Sequence, residues 1–334
     1  MPCTETSCRD MLQGLVASFD FAVVTRKAAL RDAGSVFENM EREHFAPNQV
    51  AEYLARIHYT GPIEPTIEAL SELQRCHILS VPFENLSVFG KERIVSSKDW
   101  LFDKIVRRNR GGFCCELNTL YSLLLDHFGF KFEIHAAVVY SRKTGRIGLP
   151  FDHMVLAINI EDDLWLTDVA FGDSYLTPLR FHGLPDDQQS GIYRIRKDGE
   201  KYNFEEKVKI IVDEFGKEIM SKEAFSTESG WAPRYKFDLI PRTTGDFHGM
   251  LLFHQTDARS PFTHDRICTM ATPWGRITLS GSKVITSTYL GDNKVKKETK
   301  ELLGGEEEIV KELEEKFGIR REACLYPEGS MFYG

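Results

Sequence analysis

Apolar positions fall at helical spacing in the first part of the chain. In VAEYLARIHY, Val50, Tyr53, Leu54 and Ile57 share one face and predict a helix. In TIEALSELQRCHILSVPF a stripe of Ile67, Leu70, Leu73 and Ile78 predicts a second, which Pro82 ends. DWLFDKIVRRN gives a third, with Trp100, Ile105 and Val106 apolar. A fourth starts near Cys114 and runs to His127, with Gly129 placed to cap its end. After Phe130 the texture changes to short runs rich in β-branched and aromatic residues, broken by Gly, Asp and Asn: FEIHAAVVYS, HMVLAINI, DLWLTDVAF, GIYRIRK and EKYNFEEKVKIIV. These predict an antiparallel sheet or small barrel. Strand-like segments return in RYKFDLIPR, RICTMATPWGRITLSG and KVITSTYLG. A late helix follows, with Ile309, Leu313 and Phe317 four residues apart. The expected division is a poorly ordered extension (1–48), a helical bundle (49–129), a barrel (130–203), a charged interdomain segment (204–230) and a region of strands plus a helix (231–334). The fold class is α+β.

Composition narrows the possibilities. The chain has 334 residues and a formal charge of −8, so a phosphate-rich nucleic acid is not the expected partner. No apolar run reaches the ~20 residues that span a bilayer. Seven dispersed cysteines, an odd number without C-x-x-C or H-E-x-x-H spacing, fit free thiols in a reducing compartment and no zinc site. The N-terminus lacks the basic and apolar regions of a secretory signal, and FAVVTRKAALRDAG is flanked by more acid than a transit peptide usually carries. A cytoplasmic protein is expected. With no exposed heptad or long edge strand evident, a monomer is expected too.

The chemistry concentrates in RRNRGGFCCELN. Two glycines suit a sharp turn with unusual φ and deliver Cys114 and Cys115 to the first turn of a helix. The unpaired N–H groups there favour a thiolate, the nucleophilic form. Neighbours on a helix point ~100° apart, so only one thiol faces a given base. Without the glycines and Arg110, both cysteines would read as ordinary small core residues. His153 opens a strand straight after a Gly/Pro-bearing loop, where catalytic groups are commonly mounted. Asp168, an acid within the apolar run LWLTDVAF, needs a partner if buried and suits the role of orienting the imidazole. Asp152 competes for that role, although strand neighbours face opposite ways.

R-G-G-x-C at 110–114, ELN at 116–118, VPFEN at 81–85, the His–strand–DVAFG succession and PRT…DF at 241–247 together resemble the arylamine N-acetyltransferases, with phrasing closest to animal members. The resemblance runs from about Val50 to the C-terminus; residues 1–48 have no recognised counterpart. It implies a papain-like arrangement of helical bundle, central barrel and C-terminal α/β lid. It implies Cys114 as nucleophile, His153 and Asp168 as the rest of the triad, and an Arg110–Glu84 pair holding the nucleophile's turn. Cys115 then points into the bundle. The implied reaction is ping-pong transfer of an acetyl group from acetyl-CoA to a small aromatic amine, hydrazine or N-hydroxyarylamine, with acetyl-CoA as cosubstrate and no permanently bound cofactor. Phe83, Val139, Phe171 and Asp173 match acceptor-pocket positions, and the charge of Asp173 is expected to disfavour acceptors carrying a carboxylate. Arg146, in the basic loop SRKTGRIGLP, and Gly329 and Ser330 in the tail match positions near CoA. Ala170 replaces a family glycine, which would strain the loop if φ there were positive. The rivals are a thiol hydrolase or transglutaminase-like enzyme with the same triad, and an inactive CoA- or ligand-binding module. VPFEN and PRT…DF argue against the first, and the intact triad against the second.

Overall fold

The computed structural model describes residues 44–213, 215–220 and 230–324. Of the expected extension, residues 1–43 lie outside this range, as do Gly329 and Ser330. Phe45 is already buried in the core, so the folded chain begins earlier than the expected boundary at 49.

The helices are α1 (Pro47–Arg56), α2 (Ile67–Ser80), the short α3 (Leu86–Phe89), α4 (Lys98–Phe102) and α5 (Cys114–His127). Proline at the start of α1 suits a position where the backbone N–H has no intrahelical partner. Thr66 caps α2 by accepting from the Ala69 N–H at 3.2 Å. A wide turn, Asp103–Arg107, continues α4 with π-helical bonding. Gly129 follows α5 at φ 81°, the left-handed conformation expected past a helix end.

Fifteen strands follow the described chain: β1 (Phe83–Glu84), β2 (Lys131–Val139), β3 (His153–Ile160), β4 (Asp163–Thr167), β5 (Leu179–Arg180), β6 (Asp186–Gln188), β7 (Gly191–Asp198), β8 (Lys201–Lys207), β9 (Ile210–Val212), β10 (Glu218–Met220), β11 (Trp231–Phe237), β12 (Ile267–Thr272), β13 (Gly275–Ser280), β14 (Lys283–Gly291) and β15 (Lys294–Glu301). They form two sheets. The central one runs β5-β4-β3-β2-β11-β8-β7-β6 and curls until β5 approaches β7; the second runs β1-β12-β13-β14-β15-β9-β10. α6 (His248–Thr256), α7 (Gly305–Phe317) and the short α8 (Arg321–Cys324) lie in the C-terminal part, and α7 buries Ile309, Leu313 and Phe317 as its spacing predicts.

Both sheets cut across the boundaries expected from sequence. β11 falls in the region assigned to the C-terminal part, yet it pairs with β2 and β8 in the central sheet. β1, inside the helical region, pairs with β12. The interdomain segment 204–230 contains the end of β8 and two strands, β9 and β10, of the second sheet. The run EKYNFEEKVKIIV is therefore split between sheets.

β3 is packed on both faces. Its residues alternate faces: Met154, Leu156 and Ile158 enter the core shared with the helices, where α5 contributes Leu117, Leu120 and Leu124. Val155 faces the barrel interior with Leu166, Tyr193, Phe204 and Tyr235. Burial on both faces explains the nearly continuous apolar run HMVLAINI.

Candidate active site

Cys114 is the first residue of α5 and lies 4% exposed beneath the cleft. Its turn is built by close packing rather than by unusual φ. Neither Gly111 nor Gly112 has positive φ, contrary to the expectation from sequence; in this turn Asn109 does, at 54°. A Cβ on Gly111 would overlap the Pro82 carbonyl oxygen, and one on Gly112 would lie 2.7 Å from a Glu116 carboxylate oxygen. The VPFEN strand lies directly against the turn: the Glu84 N–H donates to the Gly112 carbonyl at 3.0 Å.

Beneath the turn sit four fully buried charges. Arg110 meets Glu84 at 2.9 Å, and Lys104 lies 2.6 Å from Glu116 and 3.8 Å from Glu84. Glu84 also accepts from the Gly111 and Leu86 N–H groups, and Glu116 from the Phe113 N–H at 3.1 Å, which caps α5. Burial raises the Glu84 pKa, but the charges of Arg110 and Lys104 outweigh it and hold the carboxyl below its ordinary value. Arg110 and Glu84 thus pair where the resemblance places them, and Lys104 and Glu116 extend the pair into a network.

His153 opens β3, and Asp168 lies just past the end of β4 rather than within the strand. Asp168 Oδ2 meets His153 Nε2 at 2.7 Å, so the other ring nitrogen is left to serve Cys114. Asp168 Oδ1 accepts from Asn118 Nδ2 and from the Ala170 N–H, each at 2.9 Å. Ala170 does not have positive φ, so replacing the family glycine there causes no strain. Burial works against protonating His153, but the charge and hydrogen bond of Asp168, followed by Cys114, hold its pKa up at about 10. For Cys114 the largest influences are upward: the hydrogen bond with Cys115, then burial, then the charge of Cys115. His153 pulls the other way through its own hydrogen bond and charge.

A cavity of about 290 Å³ opens onto these groups, lined by Cys114, His153, Phe83, Val139, Phe171 and Asp173, together with Arg142, Asp152 and His254. The Phe171 ring lies 5.1 Å from that of His153. Asp173 is not a free charge. It has Lys209 at 3.3 Å, Arg276 at 3.5 Å and Arg142 at 3.7 Å, and despite burial these cations hold its carboxyl far below the ordinary range. The repulsion expected of a bare carboxylate is therefore largely offset. Arg146 is exposed and does not line the cavity, whereas Arg142 of the same loop does.

Sequence reading missed several residues of the site. Asn118 sits one turn after Cys114, and that i+4 spacing was a usable signal; it bonds Asp168, the Met154 carbonyl and the Val169 N–H. Gln74 accepts from the Thr167 hydroxyl and the Asp168 N–H. Tyr235 brings its ring within 5.3 Å of His153 and its hydroxyl within 3.5 Å of Asp168. It comes from β11, and nothing local marks it. Among the described residues no cluster suits a metal ion, and no helix is long and apolar enough to cross a membrane.

A buried cysteine at a helix N-terminus, beside an imidazole whose far nitrogen is held by a carboxylate, is the arrangement that nucleophilic thiol chemistry requires. Comparison with known proteins narrows that class. Residues 66–324 match the family model described as N-acetyltransferase. The pineal gland isozyme NAT-3 arylamine N-acetyltransferase of Gallus gallus is 33% identical over 293 residues, covering 83% of this chain and 96% of that protein. Human arylamine N-acetyltransferase 1 is 30% identical over 289 residues, covering 84% and 98%. The arylamine N-acetyltransferase of Mycobacterium abscessus superposes with a TM-score of 0.69 at 26% identity, covering 83% of this chain and 92% of that one. A Bacillus cereus arylamine N-acetyltransferase, described as having a unique Cys-His-Glu catalytic triad, is 25% identical with a TM-score of 0.67, covering 82% and 100%. The chain belongs to the arylamine N-acetyltransferase family.

Proposed function

We propose that this chain transfers an acetyl group from acetyl-CoA to an arylamine, arylhydrazine or N-hydroxyarylamine through an S-acetyl intermediate on Cys114. The observation that carries the reading is the Cys114–His153–Asp168 line opening onto a cavity with aromatic walls. Cys114, as thiolate beside the His153 imidazolium, attacks the thioester carbonyl. Backbone N–H groups of the first turn of α5 serve the developing oxyanion. The CoA sulfur leaves and takes the proton from His153. The amine then attacks the acetyl-cysteine, neutral His153 accepts the N–H proton, and Cys114 departs as thiolate. Asp168 stabilises the imidazolium at the moments it exists, consistent with the raised His153 pKa.

Phe83, Val139 and Phe171 form the apolar acceptor wall, with the two phenylalanines facing the aromatic ring, and basic residues of the loop preceding His153 meet the CoA phosphates. Intact mass after mixing with acetyl-CoA tests the reading. One acetyl adduct is expected in wild type and in Cys115→Ala, none in Cys114→Ala, with discharge by an arylamine. Absence of any adduct on folded wild-type protein would refute it, and an adduct that only water discharges would favour a hydrolase.

A further inference from the structure

The wall of the cavity carries a second imidazole–carboxylate couple that the acyl-transfer steps do not use. Asp152 immediately precedes His153, and its backbone carbonyl lies 3.7 Å from Cys114 Sγ. Its carboxylate faces His254 of α6, with Oδ1 3.3 Å from Nε2. That is ion-pair distance, but the alignment falls short of a hydrogen bond. His254 is held firmly. It is 2% exposed, its Nδ1 lies 3.1 Å from the Ser260 hydroxyl, and the Phe262 and Phe113 rings pack on it at 4.9 and 6.0 Å. Room for the Asp152 carboxylate is made by Gly148, where a Cβ would overlap Oδ2.

Two carboxylates therefore line the cavity, and they differ. Asp173 is surrounded by three cations. Asp152 receives no hydrogen bond on its carboxylate from any described residue, and its side chain is 20% exposed, with the cavity beside it. An ionised carboxylate offers about four acceptor sites, and donors for those of Asp152 must come from whatever occupies the cavity. A ligand hydrogen would meet that need.

We propose that Asp152, backed by His254, is a substrate-recognition residue whose carboxylate accepts a hydrogen bond from an N–H carried by the reacting molecule close to its reacting atoms. The inference rests on the acyl-transfer reading. Two sources share this chemistry. The acyl donor supplies one, the amide N–H two carbons from the CoA thioester sulfur. A hydrazine acceptor supplies the other, the N–H beside its attacking nitrogen.

Single-turnover kinetics on the whole chain separate them. Acetyl-enzyme is formed from acetyl-CoA or from p-nitrophenyl acetate, which has no N–H. It is then discharged by an arylamine or by the arylhydrazine with the same ring. If the donor is recognised, Asp152→Ala lowers the acetyl-CoA to p-nitrophenyl acetate rate ratio about tenfold or more. If the acceptor is recognised, the hydrazine to amine ratio falls by that factor instead. His254→Leu moves the same ratio less, and Asp152→Asn, which keeps one acceptor oxygen, restores part of it. Ratios that stay at the wild-type value in all three variants, however slow each has become, overturn the role of Asp152. Wild-type protein acylated by neither reagent refutes the acyl-transfer reading itself.

Discussion

Cys114 stands between opposed influences. The first turn of α5 and the charge of His153 favour its thiolate, but Cys115 and burial prevail and hold the thiol well above its ordinary value. Cys115 acts in the opposite sense. Its sulfur lies 3.9 Å from Cys114 Sγ, and its hydrogen bond is the largest influence raising the Cys114 pKa. Removing Cys115 removes an upward influence, so Cys115→Ala should alkylate severalfold faster at pH 7 and at a lower apparent pKa. Iodoacetamide rates from pH 5 to 9 check this, with modification at residue 114 confirmed by peptide mass. A rate profile unchanged or moved to higher pH would show that Cys115 does not raise the pKa of Cys114. The RGGFCC motif placed both thiols at the start of a helix; it did not show their 3.9 Å approach, which depends on rotamers and burial.

At the scale of elements, the buried charges tie three pieces of chain together: the wide turn after α4 through Lys104, β1 through Glu84, and the start of α5 through Arg110 and Glu116. Breaking one partner of a buried pair leaves an uncompensated charge, at a cost of about 3–5 kcal/mol. Lys104→Met should therefore lower unfolding stability by that order, measured by urea denaturation, and should slow acetylation of Cys114. Adding Glu116→Gln removes the stranded charge and should recover most of the stability. If the double variant is as unstable as the single one, Lys104 acts through packing instead. Half of this network was legible. Arg110 and Glu84 sit in recognisable motifs, but Lys104 looks like any surface lysine of an amphipathic helix until the π-helical turn carries it inward. The glycines were legible as necessary and misread in mechanism, since a requirement for close approach and a requirement for positive φ leave the same residue in the sequence.

For the whole molecule, helices and the C-terminal hairpins were readable because their patterns are local. Strand membership was not. β11 and β1 pair across long stretches of chain, and nothing in seven or two residues says which sheet they join. Three buried histidines show a further global consequence, one that runs through proton binding. His153 keeps its proton in the folded state up to about pH 10, against an ordinary value of 6.5. Its contribution to stability is full below pH 6.5 and is lost as pH rises toward 10, because only the folded state then holds the proton. His77 is the reverse case. It lies between the rings of Tyr53 and Tyr121, neither ring nitrogen has a hydrogen-bond partner among the described residues, and burial pushes its pKa down to about 3. Below pH 6.5 the unfolded chain takes up a proton that the folded one refuses, so stability falls with decreasing pH until about 3. Burial lowers His135 in the same sense. Each proton difference bends stability by about 1.4 kcal/mol per pH unit, so stability should peak near pH 6.5 and fall on both sides. Between pH 4.5 and 6.5, before carboxylates enter, His77→Leu should flatten the acid limb; from pH 6.5 to 9, His153→Gln should flatten the alkaline limb. Urea midpoints across that range measure both. A wild-type curve level from pH 6.5 to 9 would mean that His153 loses its proton near its ordinary value, and that Asp168 orients the ring without keeping it charged.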